Sequence, residues 1–133
     1  AKDASQGYAN DFVDITMRAL LPEIRRQGVR VIANAGGVNP LACRDALAAV
    51  AAELGIELRI GVVLGDDLID RATEFAASGI REMFDGSPFP ARPVSINAYL
   101  GAVPIARALD AGCDAVITGR GVDSAVTLGA MRT

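Results

Sequence analysis

Two adjacent carboxylates, Asp66 and Asp67, directly follow an apolar, strand-like run and are the side chains best suited to chemistry. Carboxylates in this position can hold Mg²⁺, hydrogen-bond a ribose or work as an acid/base pair. A simpler role is equally open, because either one can cap the helix that follows, with Asp70 adding negative charge to the first turn. We therefore predict that at least one of them is a cap, and we treat both as candidate catalytic residues.

A glycine-containing loop, Asn34 to Pro40, follows another strand-like run. Backbone N–H groups at Gly36 and Gly37 could approach a phosphate or carboxylate, and a helix dipole would add to the attraction. Neither the GxGxxG fingerprint nor the Walker A pattern with its lysine is present. The alternative is a tight turn that needs positive φ, with Asn39 serving only as a helix cap. Asn34, Gly36, Gly37 and Asn39 are candidate substrate-binding residues on the first interpretation.

Asn97 and Tyr99 place an amide and a phenol in a third loop, among small residues. Both groups could orient a small polar part of a substrate. Alternatively, Asn97 caps the next helix while Tyr99 fills a gap at its edge. The residue pattern leaves the two interpretations open.

A fourth loop, Thr118-Gly119-Arg120, precedes Asp123 and follows the last apolar run. Arg120 could grip a carboxylate or phosphate through two parallel hydrogen bonds. Its structural alternative is an ion pair with Asp123, three residues further on. We count Thr118, Arg120 and Asp123 as candidate substrate-binding residues, because four polar loops at corresponding places are hard to explain by turns alone.

Several kinds of site are excluded by composition. The chain has no histidine, so these residues alone cannot build a Ser-His-Asp, a Cys-His or a histidine-containing zinc site. Cys43 falls in the first turn of a predicted helix, where the dipole would lower the pKa of a thiol, although a small buried cysteine is commoner. Cys113 is expected to be a packing residue. We expect both thiols to be free in a reducing compartment.

The charge pattern limits the partners. Thirteen basic and sixteen acidic residues give a net charge of -3, and the charges alternate along helices. Nucleic acid binding needs a clustered positive surface and is therefore not expected. No apolar stretch reaches the roughly 20 residues of a membrane helix. The expected partner is a small anionic molecule, and a homo-oligomer is compatible with this pattern.

The loops must be positioned by helices and strands, which periodicity and capping signals predict. We expect helices over 9–26, 40–54, 68–77 and 101–111, with another beginning at 122. We expect strands over 29–33, 57–64 and 114–118, and a short one over 94–96. The stretch 79–93 contains three of the six prolines and is predicted to be irregular, either a plain connection or a lid.

Alternation of strand, polar loop and helix predicts an α/β fold: a parallel sheet of βα units in a Rossmann-like three-layer arrangement. The carboxyl ends of parallel strands share one edge, so the four loops are expected to meet there. We expect one α/β domain over 1–133, belonging to a longer protein in which the sheet continues, because no strand precedes the first helix or follows the last.

Four motifs together resemble the acyclic terpene utilisation (AtuA) family. They are Val31-Ile-Ala-Asn-Ala-Gly-Gly-Val-Asn-Pro40, Val62-Val-Leu-Gly-Asp-Asp67, Asn97-Ala-Tyr-Leu-Gly-Ala102 and Ile117-Thr-Gly-Arg120 with Asp123. The resemblance covers nearly the whole chain, in order and at similar spacing. It implies a cytoplasmic bacterial protein of citronellol and geraniol breakdown, associated with acyl-CoA pathways, and it implies that family members extend beyond both ends of this chain.

From the loops and the resemblance we expect an enzyme domain of acyclic terpenoid or branched-acid breakdown that acts on an acyl-CoA or related carboxylate. CoA would then be part of the substrate, and a divalent cation such as Mg²⁺ is a candidate cofactor. The competing hypothesis is a noncatalytic module that binds a nucleotide or CoA and assists a partner enzyme.

Overall fold

The centre of the fold is a parallel sheet of three short strands. The computed structural model describes residues 6–132; residues 1–5 and 133, to which the single-domain prediction also extends, lie outside the described part. The strands are β1 (Val31–Ala33), β2 (Ile60–Val63) and β3 (Ala115–Thr118), in the spatial order β1-β3-β2. Both pairings are parallel, with Ala115 opposite Val31 on one side and Ile60 on the other. The predicted parallel α/β fold is confirmed.

Five α-helices accompany the sheet in the described residues. An N-terminal helical segment begins with π-helical turns at Phe12–Met17 and continues as α1 (Arg18–Gln27). The others are α2 (Pro40–Glu53), α3 (Ala72–Ala77) after a 3₁₀ turn at Ile69–Arg71, α4 (Val103–Asp110) and α5 (Asp123–Met131). Within residues 6–132, no helix is long and apolar enough to cross a membrane.

Local signals explain where the helices begin and end. The Asn39 side chain accepts a hydrogen bond from the N–H of Ala42 and caps α2, and Pro40 occupies the first helical position. Gly28 ends α1 at a φ of 66°, a conformation that costs little without a Cβ. Pro104 lies in the first turn of α4, as predicted. These boundaries confirm the helix predictions to within a few residues.

Helices cover both faces of the sheet, so the chain forms three layers. Side chains alternate along β3: Ala115 and Ile117 face one core, whereas Val116 faces the other. The first core contains residues of the N-terminal helical segment and α2, among them Met17 and Leu47. The second core is built by these residues of β2, α4 and α5: Val63, Ile105, Leu109 and Ala125.

The strand predictions need three corrections. The run 57–64 pairs only over Ile60–Val63, because its pairing with β3 is confined to those residues. The run 29–33 pairs only over Val31–Ala33 and is half-buried, because β1 has a single partner strand in the described sheet. The residues 94–96 form no strand; the Ile96 carbonyl accepts one backbone hydrogen bond, from Leu68 at 2.8 Å. That single contact cannot propagate a ladder. The irregular structure predicted for 79–93 is confirmed, and this segment is almost entirely exposed.

Candidate functional site

The site lies at the carboxyl edge of the sheet, where the loops after all three strands meet. After β1 the chain turns into α2 on one face, whereas after the adjacent β3 it turns into α5 on the other. Divergence of the chain after neighbouring parallel strands opens a crevice, which is where open α/β sheets bind ligands. The loops after β1 and β3 form the walls of this crevice.

Asp66 is the buried acid at this edge, with 4% of its surface exposed. Its Oδ2 atom accepts hydrogen bonds from the backbone N–H of Arg120 at 2.9 Å and from Nδ2 of Asn97 at 3.3 Å. The backbone carbonyl of Asp66 accepts a further bond from the N–H of Ala98 at 2.8 Å. One carboxylate thus joins the loop after β2 to the loop after β3 and to the loop containing Asn97.

Gly119 makes this arrangement possible. A Cβ atom at position 119 would lie 2.3 Å from Oδ1 of Asp66, well inside contact distance. The glycine is therefore required by close approach of the carboxylate and not by its backbone torsion. Sequence reasoning missed this role, because nothing local distinguishes Gly119 from a turn glycine.

Asp67 differs from its neighbour in both exposure and partner. It is exposed, and its Oδ1 accepts a hydrogen bond from the N–H of Ile69 at 3.0 Å, at the start of the 3₁₀ turn before α3. The prediction that one of the two acids caps the helix is wrong: Leu68 precedes the 3₁₀ turn and Arg71 precedes α3, and neither makes a side-chain cap, so Asp67 only holds the start of the turn through Ile69. The two carboxylates therefore do not act as a matched pair here.

Asn97 stands beside Asp66 and does not cap α4. The residue preceding α4 is Ala102, which makes no side-chain cap, so the capping alternative for Asn97 was wrong. The Asn97 side chain bonds instead to Asp66, which lies 31 residues away in sequence, so a local capping signal could not predict the contact. Asn97 positions the acid.

The glycine loop satisfies its own backbone. Gly36 donates to the Thr118 carbonyl at 3.1 Å, Gly37 to Asn34 at 3.4 Å, and Val38 to Gly7 at 2.8 Å. Gly37 has a φ of 53°, as the tight-turn interpretation requires. Position 36 needs glycine for a different reason, because a Cβ atom there would lie 2.6 Å from the Thr118 carbonyl oxygen. These N–H groups therefore have partners within the protein, which argues against an anion cradle made of them.

Thr118 is buried and its hydroxyl donates to the carbonyl of Gly119 at 3.0 Å. Because its own carbonyl also accepts from Gly36, Thr118 connects the loops after β1 and β3. These bonds fix the two loops relative to each other.

The crevice between the loops after β1 and β3 is an open cleft of about 260 Å³, which we call the cation cleft. Its lining residues are Asn34, Gly37, Tyr99, Gly119, Arg120, Gly121 and Asp123. Tyr99 is 60% exposed, so it lines the cleft instead of filling a gap beside α4. Five of the predicted substrate-binding residues thus share one cleft.

Arg120 is the cation of this cleft. Its backbone is fixed on both sides, with the N–H bonded to Asp66 and the carbonyl accepting from Leu100 at 3.2 Å. The side chain is exposed and makes no ion pair with any of residues 6–132, so the predicted structural pair with Asp123 is not formed. Two backbone hydrogen bonds thus hold a guanidinium that, within residues 6–132, makes no ion pair and can donate to a ligand.

A second cleft of about 230 Å³ adjoins the first at Gly37, and we call it the apolar cleft. Its lining residues run over 37–41 and 64–67. Asp66 and Asp67 lie in it together with three partly exposed apolar side chains, Val38, Leu41 and Leu64. The sequence analysis did not single out these three, because the exposure of an apolar side chain depends on tertiary packing.

The described residues offer no ready metal centre. Within residues 6–132, no group of three or more Asp, Glu or Cys side chains comes together as it would around a metal ion. Asp66 is engaged by Arg120 and Asn97, and Asp67 by Ile69. The Mg²⁺ hypothesis gains no support from this geometry.

Cys43 and Cys113 are both free thiols. Cys43 is completely buried in the first core, and this burial raises the pKa of its thiol to about 11. Desolvation of the thiolate outweighs the helix dipole that the sequence suggested would lower the value. The hypothesis of a nucleophilic Cys43 is wrong.

Comparison with known proteins agrees with the motifs. No curated protein and no solved structure gives a significant match to the chain. The model of a family described as acyclic terpene utilisation family protein AtuA matches residues 1–133, which is the full sequence. With its four motifs meeting at one edge of a parallel α/β sheet, the chain belongs to the AtuA family, whose description implies a part in acyclic terpene utilisation.

Proposed function

We propose that the protein is an enzyme of acyclic terpenoid or branched-acid breakdown that acts on an acyl-CoA or related carboxylate. The observation that carries the proposal is the position of Arg120, a guanidinium without an ion-pair partner in residues 6–132, at the crevice between adjacent strands. A cation in that position fits the carboxylate, thioester or phosphate groups of such substrates.

The other groups of the cation cleft suit orientation of the substrate. Tyr99 presents a phenol and Asn34 an amide, so each can donate a hydrogen bond to a carbonyl or phosphate oxygen. Asp123 carries the opposite charge, and an anion is therefore expected to bind on the Arg120 side of the cleft. Arg120 is the anchor and Tyr99 and Asn34 set the orientation.

Asp66 is the proposed acid/base residue. It lines the apolar cleft, and the two hydrogen bonds that its side chain accepts from Asn97 and Arg120 reach the same oxygen, Oδ2. Two donors on one oxygen fix the carboxylate without using Oδ1, which can accept or return a proton. Asp67 is exposed next to it and serves a secondary role at most, because its Oδ1 holds Ile69.

The test is calorimetric titration of the protein with 3-methylbutanoate, its CoA ester and CoA, followed by product analysis. We expect Arg120→Ala to weaken binding by about tenfold or more, the loss expected for a charge-assisted hydrogen bond, and Arg120→Lys to restore part of it. The matched control is Arg107→Ala on α4, an exposed arginine that lines neither cleft. Equal affinity of wild type and Arg120→Ala would overturn the proposal.

A noncatalytic CoA-binding module is the second candidate function. This function is favoured because many polar groups at this edge form hydrogen bonds within the protein. They include the backbone N–H of Gly36, the hydroxyl of Thr118 and the side-chain amide of Asn97. Binding of a CoA ester that depends on Arg120, without turnover in wild type, would favour this module. Turnover that is lost in Asp66→Asn while binding persists would favour the enzyme.

As part of the proposal we take the reaction to occur in the bacterial cytoplasm. The free state of Cys43 and Cys113 supports a reducing compartment. A small-molecule anion is the proposed partner.

A further inference from the structure

The two clefts border each other at the backbone of Gly37. This residue lines both the cation cleft and the apolar cleft, and a Cβ atom there would point at the Gly7 carbonyl oxygen, 2.6 Å away, which lines neither cleft. Each cleft alone, at about 260 and 230 Å³, is smaller than the roughly 300 Å³ at which small-molecule sites begin, whereas together they exceed it. Their contiguity suggests one elongated site with two chemically different halves.

The halves differ in what they would bind. The cation cleft is dominated by Arg120, Tyr99 and other polar groups. The apolar cleft has an apolar wall, formed by Val38, Leu41 and Leu64, which are 40%, 44% and 52% exposed. Large apolar side chains that converge beside a charged cleft fit a ligand with an anionic end and a hydrocarbon end.

Separate parts of the backbone hold this wall in place. Leu41 lies in the first turn of α2, directly after the cap at Asn39, and Leu64 immediately follows β2. The wall therefore rests on a helix terminus and a strand terminus. A surface held in this way can distinguish ligands by the length and branching of their hydrocarbon chains.

We infer that both clefts together bind a single amphipathic aliphatic carboxylate, with its carboxylate group at Arg120 and its hydrocarbon chain on Val38, Leu41 and Leu64. The inference rests on the proposed function and deepens it, since it assigns chain selectivity to the apolar wall. The chain crosses Gly37 between the two halves. Asp66 lies along the apolar half, beside the hydrocarbon chain.

The test measures how affinity changes with chain length. Calorimetric titration uses straight and 3-methyl-branched carboxylates from two to ten carbons, with wild type, Leu64→Ser, Leu41→Ser and the control Leu20→Ser. The exposed fraction of Leu20, 48%, is close to the 52% of Leu64, and Leu20 lines neither cleft. In wild type, the affinity should rise by up to fourfold per methylene group that reaches the wall.

Leu64→Ser and Leu41→Ser should each flatten this rise while leaving the affinity for acetate unchanged, and Leu20→Ser should behave as wild type. A rise equally steep in both wall variants would overturn the inference while the proposed function stands. Absence of any Arg120-dependent anion binding would overturn both.

A second copy of the chain is the competing occupant of the wall. Sedimentation velocity of the same variants separates it from the ligand. A change of oligomeric state in Leu64→Ser, with unchanged dependence of affinity on chain length, would overturn the inference in favour of that contact. An unchanged sedimentation coefficient together with the flattened rise would support it.

Discussion

The carboxylate of Asp66 accepts the backbone N–H of Arg120 at 2.9 Å, across 54 residues of sequence. This bond ties the loop after β2 to the loop that carries the cation of the site. Asp66 therefore fixes the backbone position of Arg120, just after the end of β3. A buried acceptor of this kind contributes both to stability and to the geometry of the cleft.

Asp66→Ala should lower the free energy of unfolding by about 1.5–3 kcal/mol, because the N–H of Arg120 and the amide of Asn97 lose a charged acceptor. Asp67→Ala loses only an exposed hydrogen bond from the N–H of Ile69 and should cost about 0.5–1 kcal/mol. Urea denaturation followed by circular dichroism measures both. Equal costs for the two neighbouring acids would contradict the difference that we assign to them.

Gly119→Ala should destabilise the protein by about 1–3 kcal/mol, since its Cβ would lie 2.3 Å from Oδ1 of Asp66 and the carboxylate must move. Gly101→Ala is the matched control in the same region. Nothing lies within 4 Å of a Cβ at position 101, so that variant should be neutral or slightly stabilising. Thermal melting of both variants provides the comparison, and a neutral Gly119→Ala would show that the acid is free to shift.

Local chemistry in the sequence was sufficient to predict the helices. Asn39 with Pro40 marks the start of α2, and Gly28 marks the end of α1. These signals act within one turn of helix, so tertiary packing seldom overrides them. The strands were predicted too long because their length depends on where neighbouring strands pair, which a single run does not reveal.

The site was predicted in position but not in its internal bonding. Four polar loops at strand ends indicated the carboxyl edge, and the structure brings them together there. The bond from Asp66 to Arg120 connects residues far apart in sequence, so no local pattern contains it. The hydrogen bond from the Gly36 N–H to the Thr118 carbonyl also joins residues far apart in sequence. It makes this N–H unavailable to an anion.

Cys43 should resist alkylation in the native protein. Complete burial keeps its thiol inaccessible and raises its pKa to about 11, so that it stays protonated at pH 8, whereas Cys113 is only partly buried. Mass spectrometry after brief iodoacetamide treatment should find Cys113 modified first and Cys43 only in urea. Rapid modification of Cys43 in a Cys113→Ser variant would contradict this expectation.

The same shift makes stability depend on alkaline pH. The unfolded thiol loses its proton near 9.0, while the native thiol keeps it until about 11. Between these values the native state binds more protons, so the free energy of unfolding should fall as pH rises, by about 1.4 kcal/mol per pH unit. Urea titrations of wild type and Cys43→Ala at pH 8.5 and 10.5 test this, since the alanine variant should lack this component of the fall.

The segment 79–93 should behave as a plain connection and not as a lid. It lines neither cleft, and it contacts α3 through Phe89, whose ring centroid lies 6.2 Å from that of Phe75. Phe89→Ala removes an aromatic pair worth about 0.5–1.5 kcal/mol and should speed cleavage of this segment by trypsin after Arg81. The affinity for an anionic ligand should stay within twofold of wild type by calorimetry. A large loss of affinity in Phe89→Ala, with an unchanged melting temperature, would instead assign the segment to the site.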